Sequence, residues 1–199
     1  MTQLDSKQTP QKPPLPHLAS ATQFLETICQ EPWLAAIFQQ TLPVLGQQLR
    51  CDRVFLYVRS PYQQVGRVPF CWQRHEAIPQ VYDPDWKAEP RNLPDQDPMF
   101  AAALEAKPSL FIEDVETASP NVVNRAFEAK TFGHRALIHA HLCVERKLWG
   151  ILQACIFDQP RRWNYDDHQL MERAVGWFSP LAMEYVHCHL SAEHTTVAP

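Results

Sequence analysis

Glycine, long apolar runs, excess positive charge and paired cysteines are scarce in or missing from this 199-residue sequence, and each shortage closes a class of function. Five glycines stand against 18 prolines, so no glycine-rich loop is present to cradle a phosphate, and the loops are stiffened by fixed φ. The longest apolar runs, Trp33–Phe38 and Met99–Leu104, are six residues each, far below the roughly 20 that a membrane-spanning helix needs. No membrane span is expected. A net charge of −4 provides no field for nucleic acid or an anionic membrane, so a nucleic-acid partner is not expected. The six cysteines include no C-x-x-C pair and four lie inside apolar patterns, which fits a reducing compartment. Met1–Pro16 has neither the hydrophobic stretch of a secretory signal nor the arginines of a transit peptide, so a cytoplasmic location is expected. With no G-x-S-x-G, no H-E-x-x-H and no paired metal-site carboxylates, the expected class is not an enzyme.

What is present reads as one domain between two tails. Residues 1–17, with Pro10, Pro13, Pro14 and Pro16 among polar residues, cannot bury enough apolar surface to offset their ordering entropy and are expected to be disordered. Leu18, Ala21, Leu25 and Ile28 mark one helix face, and a second helix starts at Pro32 with a stripe of Leu34, Ile37, Phe38, Leu42, Leu45 and Leu49, bent at Pro43. The period then drops to two, predicting strands over Asp52–Arg59 and Arg67–Arg74. Glu76–Gln96, with four prolines and Trp86, has no steady period and is expected to be a long functional loop. Asp97-Pro98 is a cap and first-turn pair for a short helix to Ala106, followed by a strand at Leu110–Ile112. Ser119-Pro120 opens another short helix turning Val123, Ala126 and Phe127 inward, and ending at Gly133. Arg135–Cys143 and Leu148–Phe157 predict adjacent antiparallel strands, and Asn164 caps a last helix carrying Leu170, Ala174, Trp177, Phe178, Leu181 and Tyr185. The expected fold is α/β (α+β), an antiparallel sheet of five or six strands with helices packed on it, over residues 18–190. Residues 191–199 are expected to be a loose tail.

Several groups of residues invite chemistry. His139, His141 and Cys143 alternate on one strand and so share a face, a plausible ligand set, although one strand rarely supplies three ligands to one ion; half-buried polar residues are the simpler reading. Cys71 and His75 also share a face, but their spacing does not bring them into hydrogen-bond contact. Arg161-Arg162 reads as an exposed turn more readily than as a phosphate or propionate contact. Trp86 is the best lid for a pocket, and Asp83, Asp85, Glu89 and Asp95 around it would favour a basic protein partner.

Cys51-Asp52-Arg53-Val54-Phe55-Leu56-Tyr57 resembles the first strand of a GAF domain. Phe132-Gly133-His134-Arg135-Ala136-Leu137, Leu148-Trp149-Gly150-Ile151-Leu152 and Pro160-Arg161-Arg162-Trp163 are similar to runs in the GAF domains of cyanobacterial phytochromes and cyanobacteriochromes. In bilin-binding relatives a Pro-Cys-His triplet carries the attaching thiol; here Pro120-Asn121-Val122 stands in that place. The Asp-x-Cys-Phe motif of some photoreceptors corresponds to Asp97-Pro98-Met99-Phe100, with Met99 where the cysteine would be. A pocket-lining histidine of the last strand would fall near Cys155. A thioether cannot act as the nucleophile, so the resemblance implies a chain without the chromophore-attaching cysteines.

The resulting expectation is a non-catalytic regulatory or assembly protein that works through a protein partner, with room for a small ligand in the pocket. Alternatives are a sensor holding a bilin or other tetrapyrrole without a covalent link, and a thiol-based enzyme. The residues expected to touch ligand or partner are Trp86, Asp97, Met99, Phe100, Asn121, His139, His141 and Cys155. The sequence identifies no cofactor and no metal. No kinase, cyclase or DNA-binding segment follows within the 199 residues, so output is expected to pass to a partner. A homodimer through the helices at Leu34–Leu49 and Leu170–Tyr185 is also expected.

Overall fold

A computed structural model describes residues 31–191. The helix expected over 18–28 and the two tails expected at 1–17 and 191–199 lie outside the described residues, apart from residue 191 at a helix end. The elements are α1 (Glu31–Gln48), β1 (Arg53–Ser60), β2 (Val65–Gln73), β3 (Asp83–Ala88), α2 (Leu93–Gln96), α3 (Pro98–Leu104), β4 (Leu110–Ile112), α4 (Arg125–Thr131), β5 (Ala136–Val144), β6 (Lys147–Ile156) and α5 (Tyr165–Ser191). The strands form one six-stranded sheet in the order β3-β2-β1-β6-β5-β4, and every pairing is antiparallel.

Strand alternation divides the side chains between two faces. Val54, Leu56 and Val58 of β1, with Leu152 and Ala154 of β6 and Ile138 of β5, point to α1 and α5 and build the main core. Phe38 of α1 sits at its centre, with ring centroids 5.3 Å from Phe70, 5.2 Å from Phe178 and 5.9 Å from Tyr185. Burying each such side chain contributes about 1.5–3 kcal/mol, and this is what holds both helices on the sheet although each contains a proline, Pro43 and Pro180. The β5–β6 turn uses Glu145 and Arg146 with φ of 50° and 61°, the left-handed geometry that matches the twist of a two-residue hairpin. Gly150 lets β6 approach β1 closely, because a Cβ there would lie 2.5 Å from the Tyr57 carbonyl oxygen.

Three local expectations need correction. Glu76–Gln96 is not a structureless loop, for it contains β3, which adds an edge strand to β2 through Val65↔Ala88, Gly66↔Lys87 and Val68↔Asp83, and the short α2. The three charged residues and the proline of Asp83–Ala88 suit an edge strand and leave no apolar period of two to read. The helix placed after Ser119-Pro120 begins at Asn124, whose side chain accepts from the Phe127 N–H at 3.2 Å; it buries Glu128, while Ala126 is exposed. Trp177 of α5 faces solvent, 70% exposed. Among the described residues no helix is long and apolar enough to cross a membrane.

Candidate functional site

The second face of the sheet carries a cavity of about 310 Å³. Its floor is Phe55 and Tyr57 of β1, Ile151 and Gln153 of β6 and His139 of β5; α3 and α4 cover it with Asp97, Phe100, Phe127 and Phe132. Helix capping positions both covers. Asp97 Oδ1 accepts from the backbone N–H groups of Met99 at 2.9 Å and Phe100 at 3.1 Å, which fixes the start of α3 after the rigid φ of Pro98. Asn124 starts α4 in the same way, and its amide also donates to the Gln96 carbonyl at 2.9 Å, tying the two covers together.

The polar groups in this largely aromatic wall are specific. Burial raises the Asp97 carboxyl to about 6, with the Phe100 and Met99 N–H groups acting against it. His141 Nδ1 lies 2.8 Å from the Lys107 carbonyl and its Nε2 lies 3.0 Å from His139 Nδ1. Burial depresses both histidines, His139 further by the neighbouring His141, so both rings are neutral. A carbonyl only accepts, so the His141 proton sits on Nδ1 and its bare Nε2 accepts from His139 Nδ1. His139 Nε2 is therefore left as an acceptor in a residue that lines the cavity.

Beside the floor, on the same face of the sheet, lies a polar cluster. Arg53 is fully buried; its guanidinium donates to the Pro79 carbonyl at 2.7 Å and lies 3.9 Å from Cys155 Sγ. Gln153 Nε2 is 3.7 Å from the same sulfur. His134, fully buried at its side chain, has Nε2 2.7 Å from Glu128 Oε2 but off the line of a good hydrogen bond. At the rim, Arg59 and Glu89 form a bidentate buried pair at 2.6 and 2.7 Å, and Tyr57 Oη donates to Glu89 at 2.5 Å.

Of the eight residues expected at the site, the cavity collects Asp97, Phe100 and His139. His141 stands behind His139 and sets its tautomer. Cys155 is fully buried beside the floor on the same face of the sheet, packed with Phe55 and Val68. Met99 turns away into a small cluster with Ile112, Val123 and Leu137. Asn121 lies on the exposed connection before α4. Trp86 is half-buried on the opposite face, packed against the helix-side core with the Arg67 guanidinium 4.6 Å from its ring. It is not a lid for this cavity. Two of the four acids around it are already committed, Glu89 to Arg59 and Asp83 to Lys87. His139, His141 and Cys143 share a face as their spacing requires, yet among the described residues no three groups converge for a metal. Arg161 is structural, bound to the Leu49 carbonyl and to Asp167 at 2.9 Å. Sequence reasoning missed Tyr57, Gln153, Arg53, His134 and Glu128. The alternation in β1 and β6 could have found the first three; His134 lies close in sequence to His139 and His141 and inside the Phe132–Leu137 run, though with no role assigned, and Glu128 of α4 has no pattern to mark it.

These features describe an α/β domain that encloses a capped cavity against one face of its sheet. The chain belongs to the GAF domain family, whose model matches residues 34–179, from α1 through most of α5. Solved structures share this fold. A phycoerythrobilin-bound GAF domain from a cyanobacterial phytochrome aligns with a TM-score of 0.60 at 21% identity, over 85% of this chain and 94% of its own. A phycocyanobilin-bound GAF domain from a cyanobacterial phytochrome gives 0.58 at 19%, over 84% and 96%. The blue-light absorbing form of the Thermosynechococcus elongatus PixJ GAF domain gives 0.53 at 19%, over 83% and 95%. No curated protein matches the chain.

Proposed function

We propose that this chain is a non-catalytic regulatory GAF domain that holds a small ligand without a covalent link and passes its occupancy to a protein partner. The observation that carries this reading is the cavity itself: aromatic walls with a few inward acceptors, His139 Nε2 and the Asp97 carboxyl among them, suit a flat, apolar ligand bearing N–H donors. Asn121 and Met99, at the positions where the resemblance places attaching cysteines, have no thiol to offer. Strands β1 and β6 form both the cavity floor and the seat of α1 and α5, so a shift of the floor reaches the helical face directly. Its cysteine usage is the support for placing the protein in the cytoplasm.

A tetrapyrrole is the second reading, favoured by the bilins that the neighbouring structures hold. A cavity of about 310 Å³ lies at the lower end of the roughly 300–1,000 Å³ of ligand pockets, so a bilin requires α3 and α4 to move outward whereas a smaller heterocycle does not. Titrating the purified chain with biliverdin, with phycocyanobilin and with a smaller N–H heterocycle such as indole, followed by absorption and melting temperature, tests both readings. A red-shifted, sharpened band that disappears on denaturing electrophoresis supports the bilin reading. Stabilisation by smaller N–H heterocycles alone supports the first. A coloured band that survives denaturation refutes non-covalent binding, and no response to either class refutes the ligand role.

A further inference from the structure

The cluster beside the cavity floor has an arrangement that packing alone does not require. Arg53 cannot lose its proton, and a fully buried guanidinium is costly without a countercharge. Among the described residues no carboxylate pairs with it; the facing group is Cys155 Sγ at 3.9 Å, and Arg53 Nε has no partner at all. The buried His134 imidazole also acts on this sulfur, and Glu128 follows it, with Oε2 2.7 Å from His134 Nε2. Neither His134 nitrogen makes a well-aligned hydrogen bond. The sequence of groups Arg53, Cys155, His134, Glu128 alternates in sign when the sulfur is a thiolate and the ring an imidazolium.

The electrostatics agree with the geometry. Burial by itself raises a thiol, but His134 and Arg53 outweigh it and hold Cys155 below its ordinary value. Burial likewise opposes a charge on His134, yet Cys155 and Glu128 raise it to about 9. Cys51 is the contrast: equally buried, on the helix side, it is pushed up to about 12, chiefly by burial and next by Cys155 itself. Cys71 on β2, half-buried near the same cluster, is also raised by burial.

We infer that Cys155 is a peroxide-reactive thiol, a redox-sensing site built from Arg53, His134 and Glu128 that stands whether or not the cavity holds a ligand. The oxidant class is set by access. Cys155 is sealed from bulk water, and Gln153, in contact with its sulfur, also lines the cavity. Hydrogen peroxide is small enough to follow that path. In the reaction the thiolate attacks one peroxide oxygen, an S–O bond forms and the O–O bond breaks. His134 gives its proton to the departing hydroxide, which leaves as water, and Arg53 stabilises the negative charge during transfer. Sulfur is oxidised by two electrons and peroxide is reduced by the same two. Two equivalents of a low-molecular-weight thiol then restore Cys155 when local opening exposes the sulfur: the first takes the oxygen off as water and leaves a mixed disulfide, and the second releases the Cys155 thiol and leaves the disulfide of the reductant. The added oxygen lies beside Gln153 and Arg53, so oxidation state and cavity shape are linked.

The test uses the full, reduced chain. After timed exposure to hydrogen peroxide, catalase ends the reaction, the protein is unfolded in N-ethylmaleimide, and mass spectrometry reads which cysteine escaped alkylation. Cys155 should escape first, ahead of the more accessible Cys71, Cys143 and Cys188, with Cys51 still fully alkylated and dithiothreitol restoring the reduced state. Its rate should climb less steeply with pH between 6 and 8 than that of Cys71, because His134 and Arg53 hold the Cys155 thiol below its ordinary value, whereas an ordinary thiol gains about tenfold per pH unit over that range. Glu128→Gln should slow it at least tenfold at pH 7. Loss of Cys51 and Cys155 together would mean that unfolding exposes them. That outcome overturns the site, as does a Cys155 that stays reduced while the exposed thiols react, or one whose rate climbs tenfold per pH unit.

Discussion

Replacing Asp97 by Asn should stabilise the protein at pH 7.5 by about 2–3 kcal/mol, with most of the gain gone by pH 4. The Asp97 carboxyl is raised from its ordinary 3.8 to about 6, first by burial and next, among the causes acting in that direction, by the Glu128 charge. Between those values the native state keeps a proton that the unfolded chain has released. The stability tied to that proton is therefore fully present below about 3.8 and is lost as pH rises through about 6. A shift of about two units, at about 1.4 kcal/mol each, sets the ceiling near 3 kcal/mol; water in the cavity lowers it toward 2. Asn keeps the capping oxygen that accepts from Met99 and Phe100, worth about 1 kcal/mol in such a position, and removes only the charge. Melting followed by circular dichroism at both pH values should show a rise of about 4–10 °C at pH 7.5. An Asn variant that melts lower at pH 7.5, or gains equally at both, refutes the assignment of a costly buried carboxylate.

Glu89→Ala removes both carboxylate contacts of the buried Arg59 and should cost about 3–5 kcal/mol in urea unfolding, because the guanidinium is left without its countercharge; a loss under 1 kcal/mol would mean water replaces the carboxylate. Trp86→Ala should lower stability by about 1–2 kcal/mol through lost contact with Arg67 and the helix-side core. If β3 is also the partner surface, the folded variant should recover less of a basic partner from lysate, and unchanged recovery moves the partner site elsewhere. Trp177→Ser should leave monomer stability within about 0.5 kcal/mol, yet if α1 and α5 join two copies it should convert a dimer at tens of micromolar to a particle near 23.0 kDa; light scattering that finds wild type already monomeric ends the dimer proposal.

Local chemistry written in consecutive residues was legible without coordinates. Asp97-Pro98 announced α3 and its cap, Asn164 the start of α5, the alternation from Val54 to Arg59 announced β1, and the apolar runs Arg135–Cys143 and Leu148–Phe157 with the tight polar connection between them announced β5 and β6, because a period of two, a turn and a capping oxygen depend on neighbours in the chain. The same period of two put His139 and His141 on one face. β3 was hidden because an edge strand pairs on one side only and needs no apolar period, so Asp83–Ala88 read as loop. Trp86 shows the matching limit. Its size marked it as an anchor, but the face it occupies depends on the register of β3 against β2, which no residue in that segment specifies. The cluster at Cys155 was the least legible feature. Its thiol sits in an apolar run and reads as a small hydrophobe; its partners come from β1, from α4 and from the bend before β5. Covalent sequence sets the residue types and the short-range periods, whereas the meeting of Arg53, Glu128, His134 and Cys155 is decided only when strands far apart in the chain close into one sheet and α4 is laid across it.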